Sequence, residues 1–101
     1  MLRASRAFAA VAMVSLAAGC GGIAYTARVN SVEGKVEAAR EVQAEQYAPY
    51  YFYAAKERVT KAQQEAARAD YDDALDLLNE ADADAEQAIQ QAEAVRKGAG
   101  R

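Results

Sequence analysis

The side chains able to do chemistry in this 101-residue chain are few and unevenly placed. There is no histidine, and the single cysteine is Cys20. Beyond it stands one serine, Ser31, with no obvious base near it in sequence. Nucleophilic catalysis needs a nucleophile and a base within hydrogen-bond reach, and no glycine-rich phosphate loop or metal-ligand motif offers another chemistry. The chain therefore predicts no enzyme, no cofactor and no metal site. Carboxylates are plentiful, with Asp73, Asp76, Glu80 and Asp84 along one side of a helical pattern. They could hold a divalent cation loosely, but without a shaped loop they read as a solvated face. The remaining chemical resource is aromatic. Five of eight aromatics, Tyr47, Tyr50, Tyr51, Phe52 and Tyr53, crowd around the only proline, Pro49. Tyrosine is apolar with a polar tip, so Tyr47, Tyr50, Tyr51 and Tyr53 suit either a structural plug or a partner-binding edge.

The fate of Cys20 is set by what precedes it. Arg3 and Arg6 give a positive start, "AFAAVAMVSLAA" an apolar run and "AAG" a small-residue approach to the cysteine. This three-part pattern predicts an export signal over residues 1–19, and the run is short for a membrane span. "LAAGC" resembles the lipobox of bacterial lipoproteins, with Leu16 four residues before the cysteine. The resemblance implies cleavage before Cys20 and acyl chains such as palmitate on it. Each buried methylene contributes about 0.8 kcal/mol, so several chains make a stable membrane anchor. Gly21 and Gly22 follow Cys20, and neither is the inner-membrane retention aspartate of such lipoproteins. The expected address is the periplasmic face of the outer membrane. A free thiol beside an ordinary signal, or an uncleaved anchor, remain the other readings of this segment.

Loss of residues 1–19 removes Arg3 and Arg6, leaving ten basic residues against fifteen acidic ones and a net charge of −5. That balance disfavours nucleic acid, which needs clustered Lys and Arg. One cysteine rules out an internal disulfide framework. Twenty of the remaining residues are alanine, while Leu, Ile, Val and Phe number twelve. Single-core domains this small are marginal, so help is expected from a partner, from self-association or from regular helix packing.

Residues 20–30 read as a flexible lipidated tether. A first helix follows over about Ser31–Gln46, with Val29, Val32, Val36, Ala39, Gln43 and Gln46 at three-four spacing. Glu33, Glu37, Glu41 and Glu45 form an acidic stripe on another side. Pro49 interrupts, since proline inside a helix removes a hydrogen bond yet fits the first position of a new one. The reading is a break at Tyr47–Ala48, with a kinked continuous helix as the other possibility. A second helix, Pro49–Arg68, carries the seam Phe52, Ala55, Val59, Ala62, Ala66, Ala69. A third, Tyr71–Lys97, repeats it through Tyr71, Ala74, Leu78, Ala81, Ala85, Ala88, Ala92 and Val95. This heptad spacing lets helices pack along their length. Gly98 is expected to stop the third helix, leaving 98–101 as a flexible tail.

The fold class is therefore all-α: an antiparallel hairpin of Pro49–Arg68 and Tyr71–Lys97 plus a preceding helix, a small three-helix bundle or coiled-coil-like domain over 31–97. Lys56, Arg58, Lys61 and Arg68 on the second helix face an acidic third helix, opposing signs that favour the hairpin. Phe52, Ile89 and Val95 are expected to fill its open end, helped by Tyr47 and one or two of Tyr50, Tyr51 and Tyr53.

"YAPYYFYAAKERVTKAQQEAARADYDDALDLLNEADADAEQAI" resembles the alanine-rich helical domain of bacterial envelope lipoproteins known as domain of unknown function 4398. The resemblance covers roughly Ser31 to Ala94 and implies an envelope setting beside OmpA-like proteins rather than an activity. "ARADYDDALDLLNEA" is also similar to one tetratricopeptide hairpin, but Ala69 stands where that family favours glycine and no second copy exists. Two functions follow. One is a lipid-anchored structural or adaptor protein whose helices pack against an envelope partner, such as an OmpA-like protein, or a second copy. The other is a peptidoglycan, glycan or small-ligand module using the Tyr47–Tyr53 cluster.

Overall fold

The structure, a computed structural model, describes the backbone of residues 2–99 and the side chains of residues 21–98. The Cys20 thiol and the last two residues of the expected tail lie outside it. Four helices follow in order: α1 (Leu2–Glu41), α2 (Ala44–Tyr47), α3 (Pro49–Ala67) and α4 (Tyr71–Ala99), with no strand among the described residues. None of these helices is, over the described residues, long and apolar enough to cross a membrane.

The arrangement is up-down-up. α3 folds back on α4 as the sequence predicts, and Arg58 meets both Glu80 and Asp84 across that contact. α1 runs antiparallel to α3, where Gln63 donates to Glu33, and parallel to α4, where Lys35 meets Asp82 and Glu86. The expected seams are the core. Phe52, Ala55, Val59 and Ala62 from α3 and Ala74, Leu78, Ala81, Ala85, Ala88 and Ala92 from α4 are buried, with Val29, Val32, Val36 and Ala39 from α1. Most are alanine, so stability comes from many close contacts rather than from large side chains. Among the described residues no polar or charged side chain is buried.

The ends of the seams depart from expectation. Ala66 is half-buried, Ala69 is exposed and Val95 is 40% exposed, so Val95 does not fill the open end. The rest of the expected plug is in place, with Phe52 buried and Ile89, Tyr47 and Tyr51 packed against the core. Ala69 leaves the seam because it terminates α3. Its φ is 63°, its N–H donates to Ala66 C=O at 2.9 Å, and Asp70 N–H donates to Glu65 C=O at 2.9 Å. That pair of bonds is a Schellman motif, usually built on glycine. Asp70 C=O then accepts the Ala74 N–H at 3.0 Å and starts α4.

The first helix ends five residues before the expected Gln46. Continuing the spacing of Val29, Val32, Val36 and Ala39 would bury Gln43 and Gln46. Instead Gln43 adopts φ 64°, the chain makes the single turn α2, and Ala44 and Ala48 enter the core. Desolvating two amides without partners costs more than one left-handed residue, so the helix breaks. The restart at Pro49 holds, with Ala48 at φ −142° and ψ 55°, outside helical angles as a residue before proline should be.

Residues 20–30, expected as a flexible tether, are helical and part of α1. The physical reason is tertiary: Tyr25 packs against the core and its ring meets that of Tyr71 at 6.0 Å. Gly98 likewise lies within α4, which runs to Ala99 rather than stopping at Lys97.

Candidate partner-binding surface

The aromatic cluster sits where α1, α2 and α3 meet, at the end of the bundle away from Cys20. At 1.5 Å per residue, the twenty steps from Gly21 to Glu41 put it about 30 Å from the Gly21 end. Four successive aromatics on one helix cannot all face inward, and the structure divides them. Phe52 is fully buried, Tyr47 and Tyr51 are half-buried against the core, and Tyr50 and Tyr53 are 77% and 54% exposed. The cluster is thus plug and edge together.

The two exposed rings are held by their neighbours. Tyr50 meets Tyr51 edge-on at 5.1 Å between centroids, and Tyr53 meets Phe52 edge-on at 5.3 Å. Such pairs contribute about 0.5–1.5 kcal/mol beyond area burial. Two cations flank the buried ring: Arg40 and Lys56 each lie 5.7 Å from the Phe52 centroid, and Lys56 lies 6.0 Å from that of Tyr53. These cations were not among the predicted site residues. The available signal was that Lys56 falls one helical turn after Tyr53 and Phe52.

Beside the cluster runs a groove between α1 and α3, of about 250 Å³. Val36 and Val59 form its floor, and Glu33, Glu37, Arg40, Lys56, Thr60 and Gln63 its walls. Glu37 and Glu45 both accept from Arg40, at 2.7 and 2.9 Å.

The charged flanks of α4 are partly as expected. Arg58 crosses to Glu80 at 3.2 Å and to Asp84, and that second hydrogen bond raises its pKa. Lys61 instead pairs within α3 with Glu57, and neither Asp73 nor Asp76 pairs with α3 among the described residues. The other flank is served by α1. Lys35 reaches Asp82 at 3.1 Å and Glu86 at 3.4 Å, while Arg28 donates to Asn79 at 3.0 Å. Arg28 and Lys35 are seven residues apart, and that spacing was the overlooked sign. At the α3–α4 turn the carboxylates of Glu65, Asp70 and Asp73 lie within 4.8 Å of one another, an exposed like-charge group.

A family described as a domain of unknown function (DUF4398) matches residues 27–99, nearly the whole bundle. No curated protein and no solved structure matches the chain.

Proposed function

The chain belongs to the DUF4398 family, and from that membership and the placing of its aromatics we propose that it is a lipid-anchored adaptor of the bacterial cell envelope. In this reading acyl chains on Cys20 hold one end of the bundle at the periplasmic face of the outer membrane. The far end offers Tyr50 and Tyr53 to an envelope protein, such as an OmpA-like protein, or to a second copy.

The observation carrying this reading is the exposure of Tyr50 and Tyr53 beside buried Phe52. Aromatic rings immobilised by their neighbours and left open at one end of a rigid rod are suited to protein contact. A photo-crosslinking residue placed at Tyr50 or Tyr53 in cells should yield adducts with a discrete envelope protein. The same residue at Asp72, near the anchor end, should not. Failure of both tyrosine positions, with a lipid-free domain that is monomeric and stable, overturns the proposal. Intact mass of the mature chain tests the anchor separately, since acylation at Cys20 adds several hundred daltons.

The alternative, a glycan or small-ligand module, draws on Tyr53 and the polar walls of the α1–α3 groove. Small-molecule sites usually enclose about 300–1,000 Å³, and this groove is smaller and open. Tyrosine fluorescence unchanged on titration with peptidoglycan fragments would remove that alternative.

A further inference from the structure

The outer side of α1 changes character along its length. Ile23, Ala27, Asn30 and Gly34 recur at spacings of four, three and four, and all are exposed. Helical periodicity puts them on one stripe, facing away from the buried Val29, Val32 and Val36. Ile23 is 71% exposed, and with Gly22, Thr26, Ala27 and Asn30 it lines a mostly apolar surface depression. None of these residues is charged, and the first charges along that side are Glu37 and Glu41. The nearer charges are turned aside. Arg28 donates to Asn79 and Lys35 meets Asp82, both on α4, while Glu33 accepts from Gln63 on α3.

Gly34 is the residue the bundle itself does not explain. Glycine inside a helix costs about 1 kcal/mol against alanine, and nothing of its own chain lies within 4 Å of a Cβ built there. Gly21 differs, because the Tyr71 ring needs its space. A mid-helix glycine in line with Ala27 on an open face suits the close approach of another backbone.

We infer that this stripe is where a second copy of the chain packs, α1 against α1 in parallel. The inference rests on the anchor reading. Two copies held through Cys20 in one membrane stand in the same sense, and a two-fold axis between them sets each residue against itself. Such an axis selects a face without charge, since like charges would otherwise oppose each other. The four-three-four spacing is that of a parallel two-stranded seam, and Asn30 at its middle pairs amide to amide with its own copy. The other uncharged exposed stripe, Ala83, Gln87, Gln90 and Ala94 on α4, carries no large apolar side chain. The bilayer does not account for the α1 stripe. Interfacial burial reaches about 5–10 Å, whereas Gly34 lies about 21 Å along the helix from Cys20. Glu37 and Glu41 end the seam, so the copies part above it and leave Tyr50 and Tyr53 free. A seam this short relies on the shared membrane for effective concentration.

The test is disulfide capture of the full anchored chain in cell membranes under mild oxidation. Lipid on the Cys20 sulfur leaves an introduced cysteine as the only thiol. A parallel two-fold pair joins each position to itself, so Ala27→Cys and Gly34→Cys should each give a covalent dimer. Gln64→Cys and Ala83→Cys, exposed on α3 and α4, should give it about tenfold more slowly. Adding Gly34→Leu to Ala27→Cys should cut the dimer about tenfold with helical circular dichroism unchanged, because its own chain leaves that site open. Equal rates at all four positions, no dimer from the two α1 positions, or no effect of Gly34→Leu overturns the inference. Intact mass separates the two readings: an acylated chain without the dimer removes the pairing alone, whereas an unacylated Cys20 removes the anchor and the parallel pairing with it.

Discussion

The ring of Tyr71 lies across Gly21: a Cβ built on that glycine would stand 3.1 Å from Tyr71 Cδ2. The neighbouring Gly22 leaves room for the hydroxyl end of the same ring, 3.6 Å from its own missing Cβ. Two glycines that look like loosening residues are thus the bed of an aromatic side chain, and the start of the bundle is built rather than loose.

Gly21 and Gly34 should therefore respond oppositely to added bulk. Gly21→Val forces the Tyr71 ring to move and should lower stability by about 1–3 kcal/mol, with faster amide exchange over residues 21–28. Nothing lies within 4 Å of a Cβ at Gly34, and this helical, exposed site should gain about 1 kcal/mol on Gly34→Ala. Thermal melts of the two variants moving in the same direction would contradict the packing.

Among the described residues, Gln43 and Ala69 are the two non-glycine residues with positive φ, at 64° and 63°. A side chain at such angles costs roughly 1–2 kcal/mol that glycine avoids, offset in part by glycine's greater freedom when unfolded. Ala69→Gly and Gln43→Gly should each raise stability by a net of about 0.5–1 kcal/mol, read as a higher melting temperature. A lowered melting point for either would mean that its turn is not left-handed in solution.

The alanine seam should resist enlargement as firmly as the few large residues resist truncation. Ala85 is fully buried between helices, and Ala85→Leu should destabilise by about 1–3 kcal/mol despite being more apolar. Leu78→Ala should cost about 2–5 kcal/mol and Phe52→Ala about 3–5 kcal/mol. Those losses rival the whole stability of a domain this size, so urea melts of both should show a largely unfolded chain at room temperature.

The tyrosines should separate by burial. Alanine at Tyr50 or Tyr53 should shift stability by no more than about 1.5 kcal/mol, the size of its edge-on ring pair. Alanine at Tyr47 or Tyr51, which pack on the core, should lower it by more. Equal losses at all four positions would make the cluster purely a plug.

Alkaline pH should loosen the α1 contacts first. The hydrogen bond to Asp82, with Glu86 adding, raises the Lys35 pKa above its ordinary 10.5 in spite of burial. Burial first, then Glu33 and Tyr71, raise that of Tyr25 above its ordinary 10.0. Both folded values exceed the unfolded ones, so both contributions are fully present below about pH 10 and lost as pH climbs through the raised values. Melting temperature should be flat in this respect from neutral pH to about pH 9 and then fall, and Lys35→Met should flatten part of the fall. A fall that begins near neutrality would have another origin.

The sequence by itself determined α3, α4 and the middle of their seams, because three-four spacing of apolar residues needs no partner to be recognised. Phe52, Ala55, Val59 and Ala62, and the run from Ala74 to Ala92, are buried where that spacing puts them. Pro49 and the Ala69–Asp70 turn are local chemistry and were legible too. Only tertiary structure decided which tyrosines face inward, since one helix with four adjacent aromatics carries no information about where its neighbours stand. It also decided the break at Gln43, which exchanges two buried amides for Ala44 and Ala48 and makes sense only against a core. The same holds for Gly21, where a ring fifty residues away in sequence turns an expected tether into helix.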